Sequence, residues 1–203
     1  MIMKILVATK RVPDTDQKIR IRDDGLAISE ENLPFVINPF DAIAIEESLR
    51  IRENSTEDVE VVAVGIGSDD YETELRTSLA MGADRAVLIA CSESLDSWNV
   101  ARILSEIVRR ENPDLILMGK QAVDDDANQA GQFLAALLDW PQATFASQLE
   151  FVDQGLRVTR ETDAGIEVRS EDGTRLNSSH VVISYAVVGL KKKKEVCSLP
   201  DCN

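Results

Sequence analysis

Two stretches of the chain carry glycine and polar residues at spacings that suit phosphate binding. Gly65-Ile66-Gly67-Ser68-Asp69-Asp70 sets two glycines one residue apart at the end of an apolar run. Such glycines permit close backbone approach to a ligand, but the third glycine of a dinucleotide fingerprint is missing, and an ordinary tight strand-to-helix turn has the same composition. The second stretch, Gly119 to Gln132 (GKQAVDDDANQAGQ), joins an apolar run to a helical stripe through polar residues. A helix N-terminus there offers free N–H groups to an anion. Asp124, Asp125 and Asp126 have three readings: caps that favour the helix dipole, ligands for a hard cation such as Mg²⁺, or the flank of a phosphate loop. In the last case the N–H groups and the Asn128 and Gln129 side chains must face the phosphate, with the carboxylates turned away.

The residues that drive covalent or metal chemistry are scarce. The only histidine is His180, and Cys197 and Cys202 also lie near the C-terminus, leaving Cys91 as the one such residue before position 179. No Ser-His-Asp triad, Cys-His pair or histidine-rich zinc site can be assembled there. A Walker A lysine motif and paired catalytic acids are missing too, so the sequence describes a nucleotide cradle without a chemical engine. An ATP-using enzyme of the adenine nucleotide hydrolase type is disfavoured for the same reason. One lone cysteine fits a reducing compartment, cytoplasm or mitochondrial matrix. Among 203 residues, 36 acids outnumber 22 bases for a net charge of −14, and aromatics are 4%. Both facts argue against nucleic acid, which needs a basic face or stacking platforms. The opening apolar run, Ile5 to Ala8, is too short for a signal segment or a membrane span, so no direct membrane insertion is expected.

The elements that must position these residues follow from hydrophobic periodicity. Ile5–Ala8, Val59–Val64, Ala86–Ile89 and Leu115–Met118 are continuous apolar runs, the pattern of strands buried on both faces. Asn38-Pro39 opens a helix with Asn38 as N-cap and a stripe of Ala42, Ile45 and Leu49; Glu46, Glu47, Arg50 and Arg52 fall off it. A helix from Asp70 to Met81 ends at Gly82. Val100, Ile103, Leu104 and Ile107 mark another, closed by Asn112-Pro113, and Ala130, Phe133, Leu134, Leu137 and Leu138 mark the next. Ile19 and Ile21 alternate as in a short edge strand or hairpin. Strand and helix alternating three times predict an α/β fold, a parallel sheet flanked by helices. After Pro141, Thr/Val-rich runs such as Leu156–Thr162 predict an antiparallel, β-rich C-terminal extension. In a parallel sheet, ligands bind beyond the carboxyl ends of the strands, where Ala8-Thr9-Lys10, the Asn38 turn, Gly65–Ser68 and Gly119–Gln121 converge.

Five blocks resemble the beta subunit of electron-transfer flavoprotein: Val7–Asp14 (VATKRVPD), Asn38–Glu47 (NPFDAIAIEE), Leu75–Arg85 (LRTSLAMGADR), Gly119–Gln129 (GKQAVDDDANQ) and Asp139–Ser147 (DWPQATFAS). Val158–Glu167 (VTRETDAGIE) continues the resemblance, which spans residues 1–168. It implies an adenine nucleotide alpha hydrolase-like fold and a heterodimer whose alpha subunit binds most of the FAD, while this subunit buries AMP. Electrons would pass from acyl-CoA and related dehydrogenases to a membrane quinone oxidoreductase, with no turnover by this chain. The resemblance places AMP contacts on Ala8, Asn38, Pro39, Phe40, Asp41, Ile66, Gly119, Lys120, Gln121, Ala122, Val123, Asp124, Asp125, Asp126, Ala127, Asn128, Gln129 and Ala130. The family usually has Thr where Ala130 stands. Asp125–Gln132 resembles the AMP-binding type and not the electron-bifurcating type, which reads like GDTAQVGP and takes a second FAD. Val12 to Asp16 would lie nearest the flavin of the partner.

From Arg169 the resemblance stops. A loop of the type LRLNEPRYASL, which docks dehydrogenases, and a C-terminal arm that wraps the alpha subunit are expected there. Thr174–Lys194 instead resembles translated adapter read-through. Residues 169–203 are therefore expected to be a non-family, artefactual tail, in which His180, Cys197 and Cys202 are not read as a site; in the alternative reading Val181–Val188 is a strand and Lys191–Lys194 a solvated basic cap. Weak assembly with the alpha subunit is the expected consequence.

Overall fold

A computed structural model describes residues 2–152, 155–172 and 181–185. His180, Cys197, Cys202 and Lys191–Lys194 lie outside the described residues. In chain order the elements are strands β1 (Met3–Thr9), β2 (Arg11–Pro13) and β3 (Phe35–Ile37), helix α1 (Pro39–Asn54) and strand β4 (Val59–Gly67). A 3-10 turn (Asp69–Tyr71) leads into helix α2 (Glu72–Met81), then strand β5 (Arg85–Ala90), helix α3 (Ser97–Glu111), strand β6 (Leu115–Gly119) and helix α4 (Ala130–Leu138). Strands β7 (Gln142–Val152), β8 (Gly155–Thr162), β9 (Gly165–Asp172) and β10 (Val181–Tyr185) follow. All but β2 and β3 join one sheet in the order β5-β4-β1-β6-β10-β7-β8-β9. Pairing is parallel from β5 to β7 and antiparallel from β7 to β9, the expected α/β core with its β-rich extension.

Strand period two divides the core. Ile5, Val7, Val61, Ala63, Leu115 and Leu117 pack with Ala44, Ile45 and Ile51 of α1 and with Tyr71 and Leu75 on one face. Leu6, Ala8, Val62, Val64, Ile116 and Met118 pack with Ala101, Leu104 and Val108 of α3 and Leu134 and Ala135 of α4 on the other. The α1 stripe is shifted from the expected one: Ala44, Ile45, Ser48 and Ile51 are buried, while Ala42 and Leu49 are only partly so. Glu47, expected off the stripe, is buried and held by Arg50 Nε at 2.8 Å.

The sheet does not end at residue 168. Strand β9 runs to Asp172, and β10 enters between β6 and β7, parallel to both. The physical reason is local: Val182 and Ile183 are 2% and 0% exposed, one on each face, and fill the row between β6 and β7 that no earlier strand occupies. The polar stretch after Lys10, where a short edge strand or hairpin is expected around Ile19 and Ile21, carries such pairing. Strands β2 and β3 pair antiparallel, and Ile21 bridges Ile28 in the segment between them.

Candidate functional site

The order β5-β4-β1-β6 sends the chain outward from β1 and then back across it to β6, so a topological switch point lies between β1 and β6. Connections diverge on the two sides of such a point and leave a crevice at the carboxyl ends. Here that crevice is a cavity of about 510 Å³, within the range of roughly 300–1,000 Å³ common for small-molecule sites.

Its floor is tied together by two residues of the Asn38 turn. Asn38 is 1% exposed and occupies the N-cap position of α1, but its side chain makes no capping bond. Instead Nδ2 donates to Gln121 O at 2.9 Å and Oδ1 accepts from Val123 N at 3.2 Å. The expected cap is thus a cross-link between the start of α1 and the loop after β6. Asp41, buried one turn later, accepts from Lys10 N at 2.8 Å and Gly119 N at 3.0 Å, joining the ends of β1 and β6. Burial pushes its carboxyl up to about 7, against the opposing pull of those N–H donors. Gly119 must be glycine: a Cβ there would lie 2.3 Å from Asp41 Oδ1 and 2.8 Å from backbone atoms of Phe40 and Asp41.

The glycines after β4 serve packing. A Cβ on Gly65 would meet the Tyr71 ring at 2.7 Å, and one on Gly67 would meet it at 3.1 Å. Tyr71, 2% exposed, fills that space, and its hydroxyl donates to Thr9 Oγ1 at 2.8 Å, which donates in turn to Val64 O at 3.2 Å. Burial raises the phenol well above its ordinary value, so it stays a neutral donor. The segment forms the tight strand-to-helix turn, and Ile66, Gly67 and Ser68 also line the cavity.

The loop from Gly119 to Gln129 is held by its own carboxylates. Lys10 Nζ lies 2.7 Å from Asp124 and 3.0 Å from Asp125, whose other oxygen accepts from Ala127 N at 3.0 Å. Burial alone would lower the Lys10 ammonium, but the two aspartates outweigh it and hold it above its ordinary value. Asp126 accepts from Gln121 Nε2 at 2.6 Å and, like Asn128, has left-handed backbone (φ 50° and 47°). None of the three aspartates caps α4, correcting the capping reading: Gln129 is the N-cap and makes no side-chain bond. The leading N–H groups of α4, at Ala130, Gly131 and Gln132, therefore stand in the cavity wall without a cap. Helix α3 differs, since Asp96 Oδ1 accepts from Asn99 N at 2.7 Å.

Fourteen of the eighteen expected contact residues line the cavity; Pro39, Phe40, Val123 and Asp126 lie off its wall. Phe40 lies under the Lys120 ammonium, 4.9 Å from the ring centre. One whole side was missed: Cys91, Glu93, Ser94 and Leu95 of the β5–α3 loop, with Ser97 and Val100 of α3. The signal was available, because β5 is parallel to β4 and its carboxyl end must open on the same side. Ile66, Leu95, Val100 and Leu104 give that side an apolar surface, and the Asn38 turn and the loop after β6 give the other a polar one. Among the described residues no cluster of His, Cys, Asp and Glu could hold a metal ion, and no helix is long and apolar enough to cross a membrane.

The electron transfer flavoprotein domain model matches residues 25–178. The electron transfer flavoprotein subunit beta of Bradyrhizobium diazoefficiens is 48% identical over 198 residues, covering 94% of this chain and 79% of its own. The subunit beta of Dictyostelium discoideum is 45% identical over 170 residues, 84% of this chain and 68% of its own. That of Homo sapiens is 41% identical over 204 residues, 95% of this chain and 79% of its own.

Proposed function

The chain belongs to the electron transfer flavoprotein family, among its beta subunits, and from that premise we propose that the cavity beyond β1, β4, β5 and β6 holds AMP. The observation that carries this reading is the uncapped start of α4 facing an apolar wall across about 510 Å³. The residues present fit the group. Open N–H groups of α4, with Asn128, Gln129 and Gln132 beside them, suit a phosphate. Ile66, Leu95, Val100 and Leu104 suit a base. The carboxylates of Asp124 and Asp125, which would repel a phosphate, are occupied by Lys10. Pro39, Phe40, Val123 and Asp126 would act from behind the wall, by shaping the turn and loop.

AMP here is structural, bound and buried without turnover. The chain pairs with an alpha subunit that carries the FAD, and the pair takes electrons from acyl-CoA and related dehydrogenases and delivers them to a membrane quinone oxidoreductase. The test is to denature the purified chain and chromatograph the released nucleotide. AMP at one per chain is the expected result. FAD in its place, or sustained ATP hydrolysis by the native chain, would overturn the reading.

A further inference from the structure

Among the described residues three cations line the cavity, and each already has a partner. Lys10 is bound to Asp124 at 2.7 Å and to Asp125 at 3.0 Å. Arg11 reaches Glu74 at 3.3 Å, and its guanidinium lies 3.8 Å from the Phe35 ring centre. Lys120 lays its ammonium 4.9 Å from the ring centre of Phe40, which is off the wall. Carboxylates share the same wall: Asp41 in the floor, Glu93 on the β5–α3 side, and Asp124 and Asp125 in the loop that leads into α4. An anionic group entering the cavity therefore meets backbone N–H donors at the start of α4 and, beyond them, cations that are already engaged.

The Lys10 cluster decides how many phosphates this arrangement accepts. Asp125 accepts from Lys10 Nζ and from Ala127 N, each at 3.0 Å, so the cluster is built into the loop before the helix start. Burial would raise the Asp125 carboxyl, but those two donors hold it below its ordinary value. One phosphate can take the N–H groups of Ala130, Gly131 and Gln132 without displacing an ion pair. A second phosphate, joined to the first through one bridging oxygen, needs a charged donor of its own. Taking Lys10 for that purpose breaks two ion pairs and leaves two carboxylates beside added negative charge, which is selection by repulsion. We infer that Lys10, Asp124 and Asp125 together restrict the cavity to nucleoside monophosphates, because the aspartates hold the ammonium that a diphosphate would require. This rests on the reading of the cavity as an AMP site and adds the residues that set phosphate number.

The test strips nucleotide from the denatured 203-residue chain, refolds it with equal AMP and ADP, and chromatographs what it retains. The parent chain is expected to prefer AMP by about tenfold or more. In the variant carrying Asp124→Asn and Asp125→Asn, which frees Lys10, the preference is expected to fall to within about threefold. Adding Lys10→Gln to that variant is expected to restore it, because the freed ammonium is what takes the second phosphate. Asp124→Asn alone, which leaves Asp125 on Lys10 and Ala127, is expected to shift the ratio in the same direction and decides the matter where the double variant retains no nucleotide. The inference is overturned, with the AMP reading left standing, by a parent chain that retains both nucleotides equally, by aspartate variants that keep the parent's ratio, or by an ADP gain that survives Lys10→Gln. A parent chain that regains its circular dichroism spectrum yet retains neither nucleotide overturns the AMP reading itself.

Discussion

At the amino ends of the central strands, charges are paired off among themselves. Lys4 Nζ lies 3.5 Å from Glu60 and 3.2 Å from Glu111, Arg85 bridges the same two carboxylates, and Asp84 and Asp114 accept from the backbone N–H groups of Val61 in β4 and Lys4 in β1. At the carboxyl ends of the same strands, polar groups instead reach for backbone and loops: Asp41 for Lys10 and Gly119, Asn38 for Gln121 and Val123. The first arrangement closes a surface, and the second props one open. The candidate site in this fold is the end of the sheet where the elements are cross-linked around a space and the start of α4, without a side-chain cap, stands in its wall.

The comparison is broken most forcefully at Gly119. Gly119→Ala forces a methyl against Asp41 and the backbone of Phe40 and is expected to cost about 3 kcal/mol, read as a fall in Tm together with loss of bound AMP. Gly131→Ala, whose added methyl would meet nothing nearer than Met118 Sδ at 3.5 Å, is expected to leave Tm unchanged and is the control for stability alone, since Gly131 lines the cavity.

Lys10→Ala leaves Asp124 and Asp125 unbalanced in the cavity wall. AMP affinity, measured by calorimetry on refolded apo-chain, is expected to fall by about tenfold while Tm changes little.

The two ends also titrate in opposite directions. Asp41 is raised from 3.8 to about 7, so the stability it contributes is fully present below pH 3.8 and is lost as pH rises through about 7. Glu111 is held below its ordinary 4.5, chiefly by Arg85, so its contribution is present above pH 4.5 and is lost as pH falls below it. Denaturant melts from pH 3 to 8 should show both slopes. Asp41→Asn is expected to flatten the upper one alone; an unchanged slope would show that another group titrates there.

Arg85→Ala is the smallest change. Its pairs are partly exposed, so the expected loss is under about 1 kcal/mol, shrinking with added salt, with AMP binding untouched.

Much of the core can be read from local pattern. Apolar runs such as Val59–Val64 and helical stripes such as Val100–Ile107 are short-range signals, and their alternation leaves a parallel sheet as the economical solution. The Gly119–Gln129 loop stood out because polar residues between a strand and a helix are visible without knowing their partners. Asn38 shows where such reading stops. Its position predicts a cap, but its side chain answers to Gln121 and Val123, more than eighty residues away.

What the sequence by itself determined, then, was the element types, the end of the sheet where the crevice opens, and the absence of histidine from its first 179 residues. Tertiary structure alone decided the rest. Gly65 and Gly67 could have faced a phosphate or a side chain, and only packing puts Tyr71 there. Val181–Val188 could be tail or strand, and the row between β6 and β7 takes in Val181–Tyr185. The β5–α3 loop carries no motif and joins the site through strand order. In each case local sequence limits what a segment can do, and the contact that selects among the possibilities comes from residues far along the chain, whose position only the folded sheet specifies.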